Sequence, residues 1–361
     1  MIMLDDILRI IEPLDREAMA AAERHQRQLT KPPGSLGRLE ELSILLAGMQ
    51  GDEHPRAYRK QLILAAADHG VAAIGVSRYP QEVTAQMVQN FLEGGAAVNA
   101  LAERAGVDLT IVDAGVAVPV GPSDELVSVR LGFGTQNIAE GPAMTLDQAE
   151  VALDTGAKIA RAAAAYDDII GVGEMGIANT TSAAAIVSVL CGRAAEEVTG
   201  RGASRSDEQL ARKVAVVKQA IAVNQPDPTD GMDVLRTLGG FEIGVLAGVV
   251  LGAASRRTPV VLDGFITAAA ALIAQSIVPM SRDYLIAGHR SAERGHGIAL
   301  ERLRLQPLLD LDMRLGEGSG AVLAMAIVDA AAACLNEMAT FGEAGVSDPE
   351  RQPPDATNEP R

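Results

Sequence analysis

Between about residue 60 and residue 290 the chain alternates short β-branched runs with Gly- or Asp-rich turns and alanine-rich helical stretches. The runs are Leu62–Ala66, Leu109–Val112, Val127–Leu131, Asp168–Val172, Val260–Leu262 and Tyr284–Ala287. Several are apolar throughout, as a strand covered on both faces must be. Alternation with helical segments predicts an α/β fold, a doubly wound and mainly parallel sheet flanked by helices. Polar residues cluster just after the runs: Asp68-His69-Gly70, Asp113-Ala114-Gly115, Gly173-Glu174-Met175-Gly176, Asp263-Gly264 and His289. Open α/β sheets bind ligands at the carboxyl ends of their strands, so these turns nominate one shared crevice.

Outside that unit the pattern is helical. Met1 to Met19 reads as one amphipathic helix with Leu4, Ile7, Leu8 and Ile11 on a single face. Lys31-Pro32-Pro33-Gly34-Ser35 then breaks the chain before a second helix starting near Leu36. Helix starts of capping-box form stand at Thr145-Leu146-Asp147-Gln148 and Ser206-Asp207-Glu208-Gln209. Asn224 to Gly231, with two prolines, reads as a loop, and Ala321 to Cys334 as an apolar helix. The expected division is a small helical domain from residues 1–55 and 301–346 and an α/β domain over 56–300. Residues 347–361 form a polar, proline-rich tail expected to be disordered.

Composition sharpens this picture. At 361 residues the chain can bury a large core, yet aromatics make up 2% and tryptophan is absent, so the core must be Ala, Val, Ile and Leu. The 36 glycines and many alanines favour close helix–strand packing. A net charge of −16 argues against a nucleic-acid partner, which requires a basic face. Cys191 and Cys334 sit in alanine-rich surroundings and are expected to be buried structural thiols, neither disulfide-bonded nor metal-bound. The N-terminus lacks the basic and apolar regions of a signal peptide. Val260 to Val278, the most apolar stretch, is interrupted by Asp263 and Gln275, so it reads as a buried strand running into a core helix, not a membrane span. The expected setting is cytoplasmic, with no membrane partner.

Three segments carry candidate chemistry. In Gly171-Val172-Gly173-Glu174-Met175-Gly176-Ile177-Ala178-Asn179-Thr180-Thr181-Ser182 a strand meets a glycine-rich loop and a hydroxyl-rich helix start, whose free N–H groups favour a phosphate or carboxylate. It has neither the lysine pattern of a P-loop nor Rossmann glycine spacing, so neither ATP nor NAD is implied. The plain alternative is a tight turn whose Asn and Thr cap the helix, although that leaves Glu174 without an obvious job. In Met313-Arg314-Leu315-Gly316-Glu317-Gly318-Ser319-Gly320, glycines around one carboxylate let the backbone approach a ligand, and Arg314 suits a phosphate; otherwise this is an exposed loop. In Gly288-His289-Arg290-Ser291-Ala292-Glu293-Arg294-Gly295-His296, a metal set of His289, Glu293 and His296 is disfavoured for want of a second ligand cluster. Ser291 as an anion contact or His289 as a structural donor fits better, and Asp68-His69 suits either a ribose contact or a turn.

Together these segments resemble the nicotinate-nucleotide–dimethylbenzimidazole phosphoribosyltransferase family. The resemblance runs through Lys31-Pro32-Pro33-Gly34-Ser35-Leu36-Gly37-Arg38-Leu39-Glu40, Ala67-Asp68-His69-Gly70-Val71, Gly141-Pro142-Ala143-Met144 and the Gly173–Ser182 loop. It continues through Leu238-Gly239-Gly240-Phe241, Val261-Leu262-Asp263-Gly264-Phe265 and Met313–Gly320, spanning nearly the whole chain. It implies a doubly wound domain plus a small helical one, a homodimer, and transfer of phosphoribose from nicotinate mononucleotide to 5,6-dimethylbenzimidazole without metal or cofactor. It places the catalytic base on Glu317, charge compensation on Glu174, and phosphate contacts on Gly176, Lys213, Ser291 and Arg314. The base pocket falls on the stretch from Tyr79 to Met87, with Leu315 from the glutamate loop; Tyr79 and Met87 replace smaller or more polar family residues, so several flat bases are expected to react. Two rival readings remain: a metal-dependent hydrolase using Asp68, His69, His289 and Glu293, and a nucleotide-binding protein without turnover.

Overall fold

The computed structural model describes residues 4–121, 123–202 and 206–347. Among the described residues six strands form one parallel sheet: β1 (Lys60–Ala67), β2 (Val107–Gly115), β3 (Leu126–Ser128), β4 (Ile169–Met175), β5 (Val260–Leu262) and β6 (Leu285–Ala287), in the order β3-β2-β1-β4-β5-β6. This is the doubly wound α/β architecture expected from the alternating runs. Leu62 to Ala67 are completely buried at every position, so successive side chains on both faces of β1 are covered. The strand order reverses direction between β1 and β4, and such a switch point opens a crevice at the carboxyl ends of the two strands.

Only β5 has the expected bounds: β1 and β2 run longer at both ends, β6 begins one residue late, and the other two strands differ more tellingly. The third, expected at Val127–Leu131, pairs only over Leu126–Ser128, because the chain then leaves the regular ladder while Val129 and Leu131 still donate to the carbonyls of Asp113 and Ala114. The fourth, expected to stop at Val172, continues to Met175, pairing Gly173 with Leu64 and Glu174 with Ala65. Glu174 is therefore a strand residue, fixed by the sheet and not by a turn. The glycines around it leave no β-branched pattern, although the backbone ladder does not need one.

The stretch expected to be one helix from Met1 to Met19 contains two, Leu4–Arg9 and Arg16–Gln26. Pro13 stands in the break, and Asp15 caps the second helix by accepting from the N–H groups of Glu17 and Ala18. The capping box at Thr145 is reciprocal with Gln148, and the Ser206 hydroxyl accepts from the Gln209 N–H. Val260 to Val278 is β5 followed by the helix Phe265–Ile277, whose residues from Phe265 to Ala274 are all buried. Among the described residues one helix, Ser319–Glu337, has the length and apolarity of a membrane span, but Ala321, Val322, Met325 and Val328 along it are fully buried in the protein. Cys191 and Cys334 are free and half-buried, less enclosed than expected. The tail beyond Ser347 lies outside the described residues.

The chain divides into two compact units. One comprises residues up to Pro13 together with Tyr58–Ala326, so the first helix counts with the sheet. The other comprises Leu14–Ala57 and the chain from Ile327. Within this smaller unit the Lys31–Ser35 break folds onto Glu40, which pairs with the buried Lys31 at 2.8 Å and accepts from the N–H groups of Gly34 and Leu36. Burial works to raise the Glu40 carboxyl, but Lys31 and those N–H groups outweigh it and hold the carboxyl below its ordinary value.

With so few aromatics, the larger core depends on close approach. The helix Phe241–Ala254 is buried along its whole length and lies against Leu146–Ala163. A Cβ on Gly248 would come within 2.1 Å of the Leu153 carbonyl oxygen and 2.8 Å of its carbon. The obstacle is backbone, so the helices would have to move apart. Gly248→Ala is expected to destabilise the protein by about 1–3 kcal/mol despite its better helix propensity. A thermal melt at or above the wild-type midpoint would show that the helix pair yields without loss.

Candidate active site

The carboxyl ends of the central strands open into a cavity of about 780 Å³ in the larger unit. The nine residues that the family resemblance assigns to the site all line it: Tyr79, Met87, Glu174, Gly176, Lys213, Ser291, Arg314, Leu315 and Glu317. The cavity is built from segments far apart in sequence, and each contributes a different kind of group.

On one side, β4 runs into Gly176-Ile177-Ala178 and the helix Asn179–Cys191. Ala178 takes a left-handed φ of 76°, which turns the chain from strand to helix and brings Gly176 through Thr180 to the cavity wall. The Ile177 N–H is held by the Thr84 hydroxyl, which in turn donates to Asp68 at 2.6 Å. Beside this helix start, buried Lys213 donates to the Thr180 hydroxyl at 2.6 Å. Burial pulls its ammonium down to about 8, against the opposing pull of Glu293. A phosphate placed here meets helix N–H groups and a cation that has no carboxylate in direct contact among the described residues.

Ser291 is buried and offers its hydroxyl, while its N–H donates to His296 Nδ1 at 2.9 Å. Arg314 is exposed at the rim and makes no ion pair with any described residue, leaving its guanidinium open to an anion. Tyr79 and Leu315 are more than half exposed, at 51% and 56%, and with Met87 they contribute to the apolar part of the cavity wall, as do Val83, Ile177 and Phe265.

Two glutamates dominate the electrostatics. Glu174 is buried and accepts a hydrogen bond from the Asn179 side chain. Burial pushes its carboxyl up to about 8, helped by the nearby Asp263, Glu242 and Glu317 and opposed by Asn179. Glu317 lies between Gly316 and Gly318, and all three have positive φ, at 87°, 63° and 84° in chain order. The Gly316 backbone packs so closely on Glu174 that a Cβ there would sit 2.4 Å from Glu174 Oε1. Burial raises the Glu317 carboxyl too, with the Val98 N–H pulling the other way. Its Oε2 is buried without a partner among the described residues. A buried carboxyl oxygen left free at a cavity wall is a group awaiting a donor.

The proposed hydrolase set does not converge. His289 and Glu293 line the cavity, whereas Asp68 and His69 are buried elsewhere and fully engaged. Asp68 accepts from Thr84 and from the Ala117 N–H, and His69 bridges Ser182 at 3.0 Å and Glu242 at 2.7 Å. Among the described residues no group of three or more His, Cys, Asp or Glu has metal-binding geometry. Sequence reasoning gives Asn179 only a helix-capping role and Asp263 only a place at the crevice, yet both contact the glutamate segments. Asp263 carries one signal, a carboxylate immediately after a strand on the crevice side.

A sequence profile described as phosphoribosyltransferase matches residues 11–346 of this chain. A nicotinate-nucleotide–dimethylbenzimidazole phosphoribosyltransferase of Chloroflexus aggregans is 55% identical over 349 residues, 96% of this chain and 99% of that protein. Its counterpart in Chloroflexus aurantiacus is 56% identical with the same coverage. The crystal structure of CobT from Thermus thermophilus superposes with a TM-score of 0.88 at 47% identity, over 92% of this chain and 99% of that one.

Proposed function

Since this chain belongs to the nicotinate-nucleotide–dimethylbenzimidazole phosphoribosyltransferase family, we propose that it joins nicotinate mononucleotide and 5,6-dimethylbenzimidazole, or a related base, into α-ribazole 5′-phosphate and nicotinate, with Glu317 as proton acceptor. The observation that carries the residue assignment is the Oε2 of Glu317, unpartnered among the described residues and buried at the wall of a cavity that Met87 and Leu315 also line. One ring nitrogen of the base attacks C1′ of the ribose while the bond from C1′ to the pyridinium nitrogen breaks. The proton on the other ring nitrogen becomes acidic as charge builds, and Glu317 takes it. Nicotinate departs from the face opposite attack, so the β-nucleotide becomes an α-nucleotide in one displacement. The leaving group is already cationic in the substrate and accepts the bond electrons without further activation.

Glu174 supplies negative charge to the ribose. In the free protein its carboxyl, pushed up to about 8, holds a proton near neutral pH. The pyridinium cation of the substrate, and the charge that develops on the ribose, both favour the ionised form. The 5′-phosphate is assigned to the helix start at Gly176, Lys213, Ser291 and Arg314. The protein is taken to work as a cytoplasmic homodimer without a cofactor, in keeping with its family.

The direct test is nicotinate release with and without the base. Base-dependent release supports the transferase. Nucleotide binding without any release, with or without added metal, favours the binding-protein reading instead. Arg314→Ala is expected to raise the KM for the nucleotide several-fold to tenfold with little change in kcat, as removal of a charge-assisted contact made equally in ground and transition states would. An unchanged KM takes Arg314 out of the phosphate site.

A further inference from the structure

We infer that Asp263 is the positioning residue for Glu317: from the end of β5 its carboxylate grips the backbone just after Glu317 and so fixes where that base points. The inference deepens the reading of Glu317 as proton acceptor and rests on it.

The Glu317 side chain meets the Val98 N–H, but its Oε2 has no partner among the described residues, and unlike Glu174 it has no side-chain amide to orient it. The rest of its orientation is set by its backbone, which is unusual: three successive residues, Gly316, Glu317 and Gly318, lie in the left-handed region. For a non-glycine residue that conformation is strained and persists only where neighbours impose it. The neighbour is Asp263, 1% exposed. Its Oδ1 accepts from the N–H groups of Gly320 at 2.6 Å and Ala321 at 3.3 Å, and its Oδ2 accepts from Gly318 at 3.3 Å. Those donors are the last link of the loop and the first turn of the helix Ser319–Glu337. A residue distant in sequence thus caps the helix, where a local Ser or Asp normally would. The Ser319 hydroxyl completes the latch by donating to the Gly316 carbonyl at 2.8 Å.

Both oxygens of the carboxylate are required. An asparagine could accept from Gly320 and Ala321, but its amide would then face the Gly318 N–H donor to donor, releasing the loop on the side nearest Glu317. Burial pushes the Asp263 carboxyl up to about 7 while the three N–H groups hold it down and Glu317 adds to the rise, so the grip is retained at the cost of crowding two acids together. The other titratable groups facing it are Glu174 and His289, whose Nε2 lies 3.6 Å from Oδ1, beyond hydrogen-bond range.

The experiment is a double-mutant cycle read by nicotinate release. Asp263→Asn should lower kcat on the order of 100-fold, the scale of a misplaced catalytic group, and leave the nucleotide KM within about threefold. In a Glu317→Gln background the same change should cost nothing further, because it acts only through the lost carboxylate. Losses that multiply in the double variant, or a loss carried by KM, overturn the inference. If Glu317→Gln alone keeps the wild-type rate, the proton-acceptor reading has failed, and the Asp263 single variant shows separately whether that residue matters. Asp263→Ser, with one acceptor oxygen, is the second variant. Failure of both Asp263 variants to fold would mark the residue as a structural cap and overturn the positioning role.

Discussion

Glu317→Gln is expected to lower kcat by about 10²–10⁴-fold with the nucleotide KM nearly unchanged, since general-base transfer is worth that much and glutamine keeps the size and polarity of the side chain. The pH profile carries the same assignment. A base works only when deprotonated, and burial raises the Glu317 carboxyl above the ordinary 4.5. In the free enzyme kcat/KM should therefore fall as pH drops through that raised value, at a less acidic pH than an ordinary glutamate would give. The residual activity of Glu317→Gln should lack this acid limb. Retention of both rate and limb would move the proton acceptor elsewhere, with Glu174 the next residue to test.

The second large effect is expected at Glu174. Glu174→Gln keeps the bond with Asn179 but removes the charge that the substrate cation induces, and loss of one preorganised electrostatic partner costs about 10²–10³-fold in kcat. The two glutamate variants differ in one further respect. Because Glu174 is pushed up to about 8 by burial and by its acidic neighbours, binding the cationic substrate should drive a proton off it. Calorimetric titration of nicotinate mononucleotide in buffers of different ionisation enthalpy would register that release in the wild type and in Glu317→Gln, but less of it in Glu174→Gln. Equal proton release in all three would take Glu174 out of the charge-compensating role.

Much of this is legible in the chain because two-sided burial leaves a one-dimensional trace. The runs at Leu62, Leu109, Val260 and Tyr284 are apolar at nearly every position, and β1, β2, β5 and β6 lie on them. The trace fades where the backbone is decided by something other than side-chain burial. Gly173 and Glu174 join β4 because Leu64 and Ala65 of β1 offer a ladder, information that resides in the partner strand. Pro13 and Asp15 outweigh the helical spacing from Leu4 to Ile11, which a reading of hydrophobic period alone passes over. At the site, Glu174, Ser291, Arg314 and Glu317 are visible by type and neighbourhood, whereas Lys213, Tyr79, Met87 and Leu315 come only from the family resemblance. Those that act on other residues are not visible: nothing local to Asn179 or Asp263 says that one orients Glu174 or that the other grips the backbone after Glu317.

The strand order also sets a sequence of events in time. β1 is flanked in the sheet by β2 and β4, and its pairing of Lys60 with Ile169 must wait until the intervening chain has been synthesised. β5 and β6 follow later still, and Asp263 on the end of β5 finds Gly318 to Ala321 only when the final helix begins. Long-range parallel pairings close slowly because the loop entropy is lost before the contacts form. A nascent chain of this protein therefore exposes the apolar edge of β1 through much of its synthesis, when association with other chains competes with folding.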